Sequence, residues 1–253
     1  MNEPDMPARP TRAMSDFDPA SIRALVFDVF GTVVDWRGTI IREGEALSSA
    51  KGWHVDWRGL ADAWRQGYRP AMARAMRGEI AWADIDTLHR GILDEIRPRF
   101  GLGELSEAEV AQLNHVWHRL APWPDVHEGL QRLKARFVIS TLSNGNVALL
   151  VDMAKHAQLA WDCVLSAELF GKYKPDPAVY QGAARLLGVE CDALLMVAAH
   201  PSDLVAAQRA GLRTAYVPRP LEWGPDGYRE PVGSARFDLI AADFVELAAN
   251  LGA

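Results

Sequence analysis

The run Ile22-Arg23-Ala24-Leu25-Val26-Phe27 is short, mostly apolar and rich in branched residues, and it ends abruptly at Asp28-Val29-Phe30-Gly31-Thr32. Its length and composition favour a buried parallel-sheet strand over a helix, with Gly31 supplying a tight turn beyond it. The period then changes. Helical patterns occupy residues 38–50, 57–76, 80–97 and 106–119, with no convincing strand among them. Ala121-Pro122-Trp123-Pro124-Asp125 punctuates the chain, and strand and helix alternate from there on. The pattern predicts helix 126–135, strand 137–142, helix 147–156, strand 163–165, a helix from Pro177, strand 194–198, helix 202–210 and strand 214–217.

Such a rhythm belongs to right-handed parallel crossovers, so the expected fold class is α/β: a Rossmann-like doubly wound parallel sheet carrying an inserted helical cap. The expected boundaries are a loose leader over residues 1–20, a core from 21–36 and 121–253, and a cap over 37–120. A length of 253 residues with 49% hydrophobic content suits one large domain or a core with such an insertion.

Charge and cysteine usage narrow the partners. A net charge of -6 leaves no basic stripe, which argues against nucleic acid or an anionic membrane surface. Cys163 and Cys191 lack a nearby Cys or His at metal-ligand spacing, and two cysteines fit a reducing cytoplasm. No 18-residue uncharged apolar run suggests a membrane span, and the first 20 residues lack the apolar centre of a signal peptide.

Four loops carry candidate chemistry. Asp28 places a carboxylate at the carboxyl end of its strand, where α/β sheets perform reactions, although an acid there can also simply cap the next turn. Ser143-Asn144-Gly145-Asn146 leaves the strand 137–142 toward the same edge; Asn146 can cap the following helix, and ordinary turn chemistry is the competing reading. In Lys174-Pro175-Asp176-Pro177, Asp176 reads as an N-cap and Pro177 as the first helical residue, which holds Lys174 just outside a helix with Tyr180 one turn in. A solvated lysine is the plain alternative. Val197-Ala198-Ala199-His200-Pro201-Ser202-Asp203 again passes from strand to helix, bringing Asp203 and a titratable His200 to that edge, where Asp203 can also merely favour the helix dipole. In the helical block Arg65, between Trp64 and Gln66, is a candidate ligand-facing cation or a surface salt bridge. Trp36 and Trp82 are the tryptophans to test as pocket walls.

Taken in order, these motifs resemble the haloacid dehalogenase superfamily, specifically the type II 2-haloacid dehalogenases, over nearly all of residues 22–251. The resemblance implies Asp28 as nucleophile, Thr32 supporting it by hydrogen bonding and Lys174 as its charge partner. It further implies Arg65 and Asn144 around a departing halide, Ser143 with backbone amides at the substrate carboxylate, Tyr180 nearby, and Asp203 in the hydrolytic half-reaction. Ala198, His200 and Ser202 depart from the serine, asparagine and tryptophan of that pattern, with His200 a possible helper in water activation.

Within the superfamily the alternative is a Mg²⁺-dependent phosphatase, and outside catalysis a small-acid-binding scaffold. Phosphate transfer to a carboxylate needs a cation held by several oxygens. Phe30 stands where a phosphate-handling relative has its second carboxylate, and Ala199 where the resemblance implies another. Displacing halide from carbon asks instead for a desolvated carboxylate, in-line approach and donors around the departing anion, with no metal and no cofactor. The implied partner is a short 2-haloacid, and the resemblance implies a homodimer.

Overall fold

The computed structural model describes residues 17–253; most of the expected leader, residues 1–16, lies outside them. In chain order the elements are β1 (Ala24–Phe27), β2 (Val34–Asp35), α1 (Trp36–Lys51), α2 (Trp57–Met76), α3 (Ile85–Ile96), α4 (Glu107–Asn114), β3 (Ala121–Pro122), α5 (Val126–Lys134), β4 (Val138–Ser143), α6 (Val147–His156), β5 (Cys163–Ser166), α7 (Pro177–Leu187), β6 (Leu194–Ala198), α8 (Pro201–Arg209), β7 (Arg213–Tyr216), β8 (Leu239–Ile240) and α9 (Phe244–Asn250). Six strands form one parallel sheet in the order β5-β4-β1-β6-β7-β8.

Strand β1 shows why its sequence is apolar throughout. Leu25 and Phe27 enter one hydrophobic cluster, Ala24 and Val26 the other, so neither face meets water. With β4 on one side and β6 on the other, the chain leaves β1 at the centre of the sheet. Loops after β1, β4 and β6 therefore open onto one crevice at the carboxyl edge.

Helices α1 to α4 lie between β2 and β3, two short strands that pair antiparallel, Val34 with Pro122 and Asp35 with Ala121. Side-chain caps start these helices. Asp35, Asp56 and Asp84 accept from Gly38, Gly59 and Thr87 backbone N–H groups, and Ser106 forms a capping box with Glu109. The Asp84 cap explains why α3 begins at Ile85 instead of the Ile80 that periodicity suggests. At the other end of the block the pattern 106–119 divides, since the α-helix stops at Asn114 and a 3₁₀ turn covers His115–Arg119.

Four elements escape the sequence reading. Strands β2, β3 and β8 have two residues each, too few to display a period, and α9 follows a long loop. Asn146 also behaves differently from its expected role: it makes no side-chain cap to α6 but donates to Asp86 at 2.9 Å. Glu168 accepts from Val147 N at 2.7 Å in its stead.

Candidate active site

Asp28 sits one residue past β1 with its backbone N–H bonded to Val197 O, so the β1–β6 ladder fixes its position. The side chain is buried yet lines a cavity of about 660 Å³. Around it stand Phe30, Arg65, Tyr68, Asn144, Lys174, Tyr180, His200 and Asp203, gathered from the loops after β1, β4, β5 and β6 and from helices α2, α7 and α8. Gly31 adopts φ +85°, which lets the chain turn at once after the nucleophile candidate; a Cβ there would lie 2.2 Å from Glu222 Oε1.

The two oxygens of Asp28 have different partners. Oδ1 accepts from Lys174 Nζ at 3.0 Å, while Oδ2 accepts from the Thr32 hydroxyl at 2.7 Å and lies 3.0 Å from His200 Nδ1. Lys174 Nζ also donates to Asp203 Oδ2 at 2.5 Å, and the Tyr180 hydroxyl donates to Asp203 Oδ1 at 2.5 Å. One ammonium thus bridges two buried carboxylates. Asp176 caps α7 by accepting from Ala178 N, with Pro177 at the first helical position, so Lys174 emerges just ahead of that helix.

Burial would raise the Asp28 carboxyl pKa, but the Lys174 ammonium, and after it His200 and Thr32, hold it well below the usual carboxylate range. Burial likewise works against the Lys174 cation, and the charges of Asp203 and Asp28 more than reverse it. Asp203 moves upward, driven by burial and the neighbouring Asp28 charge against the pull of Lys174. The Tyr180 phenol is raised by burial and by Asp203, which keeps it a donor.

Opposite this polar wall lies an aromatic one. Phe30 meets Trp117, His89 and Tyr68 edge-on, with centroids 5.7, 6.2 and 6.4 Å away. The Arg65 guanidinium carbon lies 4.6 Å from the Tyr68 ring centroid, 5.5 Å from Trp36 and 5.9 Å from Phe30, and its Nη1 is buried with no hydrogen-bond partner. Arg65 lines the cavity, and a desolvated guanidinium with an unsatisfied N–H is suited to receive an anion. Asn144 holds its place by accepting from Lys174 N at 2.7 Å, and its Nδ2 makes long contacts of 3.4 and 3.5 Å to Met72 Sδ and Lys174 O.

The residues from 22 to 211 match the family model of haloacid dehalogenase-like hydrolases. The chain belongs to that family. Among curated relatives, (S)-2-haloacid dehalogenase 4A of Burkholderia cepacia is 30% identical over 207 residues, covering 79% of this chain and 84% of the relative. A solved L-2-haloacid dehalogenase is 46% identical with a TM-score of 0.88, covering 91% of this chain and 99% of that one. A second, described as a defluorinating L-2-haloacid dehalogenase, is 39% identical with a TM-score of 0.88 over 92% and 96% of the two chains.

In this hydrolase the structure gathers Asp28, Thr32, Lys174, Asp203, His200, Phe30, Arg65, Asn144 and Tyr180 at one site. Thr32, Ser143, Trp36 and Trp82 are not on the cavity wall, and Thr32 reaches the site through its hydrogen bond to Asp28. The Ser143 hydroxyl is fully buried and accepts from Gly145 N at 3.1 Å, tying down its own loop. Trp82 is 39% exposed and stacks on Tyr173, itself part of the lining, so it backs the wall from outside. Trp36 is buried behind Arg65 and donates its indole N–H to Glu222 at 2.9 Å.

Sequence reasoning missed Tyr68 and Met72 on the cavity wall, and it missed Glu222. Glu222 follows β7 in a proline-flanked loop, buried, with both oxygens near His200 Nε2 at 3.0 and 3.2 Å. Burial would raise its pKa, but His200, with help from Arg65 and Trp36, lowers it. An acid between Leu221 and Trp223, just past a strand that ends at the reactive edge of the sheet, was the available signal.

Proposed function

We propose that this hydrolase cleaves the carbon–halogen bond of short 2-haloalkanoic acids through an ester on Asp28. The observation that carries the reading is the Asp28 carboxylate, buried but held ionised by Lys174, lining the same cavity as Arg65, whose buried Nη1 has no partner. One group supplies a desolvated nucleophile; the other awaits an anion.

In the first step Asp28 attacks C2 in line with the halogen, a C–O bond forms, and the halide departs with the bonding pair toward Arg65 and the Asn144 amide. In the second step water, deprotonated by Asp203, attacks the ester carbonyl carbon of Asp28, and the acyl–oxygen bond breaks. Only the first step touches C2. The product is therefore a 2-hydroxy acid of inverted configuration, released with one halide and one proton. Phe30, Tyr68 and Met72 provide the apolar flank for a short alkyl chain.

The donor set does not suit a hard divalent cation. Lys174 Nζ stands between Asp28 and Asp203, and Phe30 offers hydrocarbon where another oxygen ligand is needed. We read the helices at 37–120 as a cap over the cleft, since α2 supplies Arg65, Tyr68 and Met72 to it. Among the described residues no helix is long and apolar enough to cross a membrane, and both cysteines are free thiols. A cytoplasmic homodimer completes the proposal on family likeness.

The test is a single turnover of chloroacetate in ¹⁸O-labelled water, with the Asp28 peptide analysed by mass. Label in Asp28 is the expected result, together with loss of halide release in Asp28→Asn and full activity after chelation. Label appearing first in the hydroxy acid would replace the ester by direct attack of water. Mg²⁺-dependent phosphate release from an aryl phosphate, with no halide released, would move the protein to the phosphatase branch.

A further inference from the structure

His200 lies between two carboxylates and faces no donor. Its Nδ1 is 3.0 Å from Asp28 Oδ2, and its Nε2 is 3.0 and 3.2 Å from the Glu222 oxygens. Two ionised acceptors on opposite sides of an imidazole are satisfied only if both ring nitrogens carry hydrogen, which makes the ring an imidazolium. Burial disfavours that charge, but Glu222 and Asp28 outweigh it and push the pKa up to about 10. Glu222 is itself fixed, accepting the Trp36 indole N–H and lying against the Cβ-free face of Gly31.

Resting on the ester reading above, we infer that His200 is the oxyanion donor of the hydrolytic half-reaction, not its base, and that Glu222 is the positioning residue that keeps it cationic. The unequal oxygens of Asp28 carry the argument. Oδ2 already has Thr32 and His200 directed at it; Oδ1 has Lys174 alone and is the freer oxygen to bond to C2. Once Oδ1 is alkylated, Oδ2 is the carbonyl oxygen of the ester. Its two donors, at 2.7 and 3.0 Å, then stand where negative charge develops.

The electron count closes. Water oxygen bonds to Cγ, one water proton passes to Asp203, and the carbonyl π pair moves onto Oδ2 between Thr32 and His200. The pair returns, the Cγ–Oδ1 bond breaks, and the departing 2-alkoxide takes the proton from Asp203. Asp28 regains its charge by losing the second water proton to solvent.

Esterification also explains the need for Glu222. While the ester exists Asp28 is neutral, and one of the two anions that hold the imidazolium has vanished. Lys174 beside Asp28 and Arg65 near Glu222 oppose a cation at the ring, and Arg69, Arg219 and Glu230 line the cleft on its other side. Glu222 is the carboxylate that remains to preserve the donor when it is used.

The test is rapid-quench kinetics on Glu222→Gln with chloroacetate, following halide, the esterified Asp28 peptide and the pH profile of each half-reaction. The expected variant releases one halide per site at close to the parental rate. It then hydrolyses the ester about 10²- to 10³-fold more slowly, so the modified peptide accumulates. The alkaline limb of hydrolysis, where the parent has Glu222 to hold the imidazolium against burial, should move to lower pH in the variant.

Equal slowing of both half-reactions, or an unchanged alkaline limb, would overturn the assignment. If Glu222→Gln fails to fold, His200→Asn decides: a neutral donor should hydrolyse the ester slowly with no alkaline limb, and persistence of the limb would refute the role. Absence of any ester in the parent enzyme would instead dispose of the underlying reaction, a separately visible outcome.

Discussion

Replacing Lys174 with methionine should cost stability and not only activity, because one ammonium serves two buried carboxylates. At the observed 3.0 and 2.5 Å, a pair energy with an effective dielectric near 20 is roughly 5 to 7 kcal/mol for each contact. Most of that is consumed by dehydrating the ions. The net penalty for removing one partner from a buried ion cluster is about 3–5 kcal/mol, or a fall in Tm of roughly 6–20 °C for a chain of this size.

Urea unfolding of parent, Lys174→Met, Asp28→Asn and the double variant measures it. The double variant should be less unstable than the sum of the two single ones by about 2–3 kcal/mol, since Asp28→Asn removes one of the stranded charges. Asp28 titrates below its unfolded value in the parent, so its stabilisation is complete above pH ~4 and lost on acidification. The gap between parent and Lys174→Met should therefore narrow as pH falls. A gap under about 1 kcal/mol at pH 7, or strict additivity in the cycle, would refute the picture of a single shared cation.

Arg65→Gln should lower kcat/KM for 2-haloacids roughly 10- to 150-fold, the value of one charged hydrogen bond, with stability changed by no more than about 2 kcal/mol in urea, since ring contacts and a longer-range attraction to Glu222 are lost but no hydrogen bond of Nη1. Phe30→Ala removes the centre of the aromatic wall and should cost about 3–5 kcal/mol by the same measurement. His200 titrates near 10 folded against ~6.5 unfolded, so its contribution, at most about 5 kcal/mol, is whole below pH ~6.5 and lost as pH rises toward 10. His200→Asn should flatten that alkaline decline in the urea midpoint; an equally steep decline would remove His200 as its source.

The parallel sheet was legible because β1 and β6 are buried on both faces and therefore read as continuous apolar runs, while β4 keeps enough apolar positions beside its buried Ser140 and Thr141 to read as a strand. Helix α7 was legible because Asp176 and Pro177 write its start into the chain. Asp28, Lys174 and Asp203 were legible because each leaves an element at a recognisable boundary. Glu222 was not, since its partners His200 and Trp36 are 22 and 186 residues away and its loop has no period. Ser143 and Trp82 show the reverse failure. Their residue types suit a pocket, but side-chain direction decided their use, and direction is a property of packing.

Thr32 does more than touch Asp28. Its oxygen accepts the Ala199 N–H at 2.9 Å, so the hydroxyl hydrogen is directed to the carboxylate, and the tie joins the segments beyond β1 and β6 after their ladder has ended. The reactive group thus takes its orientation from main chain through a single relay atom. Serine at position 32 preserves that relay, whereas valine, nearly the same shape, leaves the Ala199 amide without its acceptor and Asp28 Oδ2 with His200 alone. Tolerance at this position is a matter of proton direction, and volume is almost irrelevant to it.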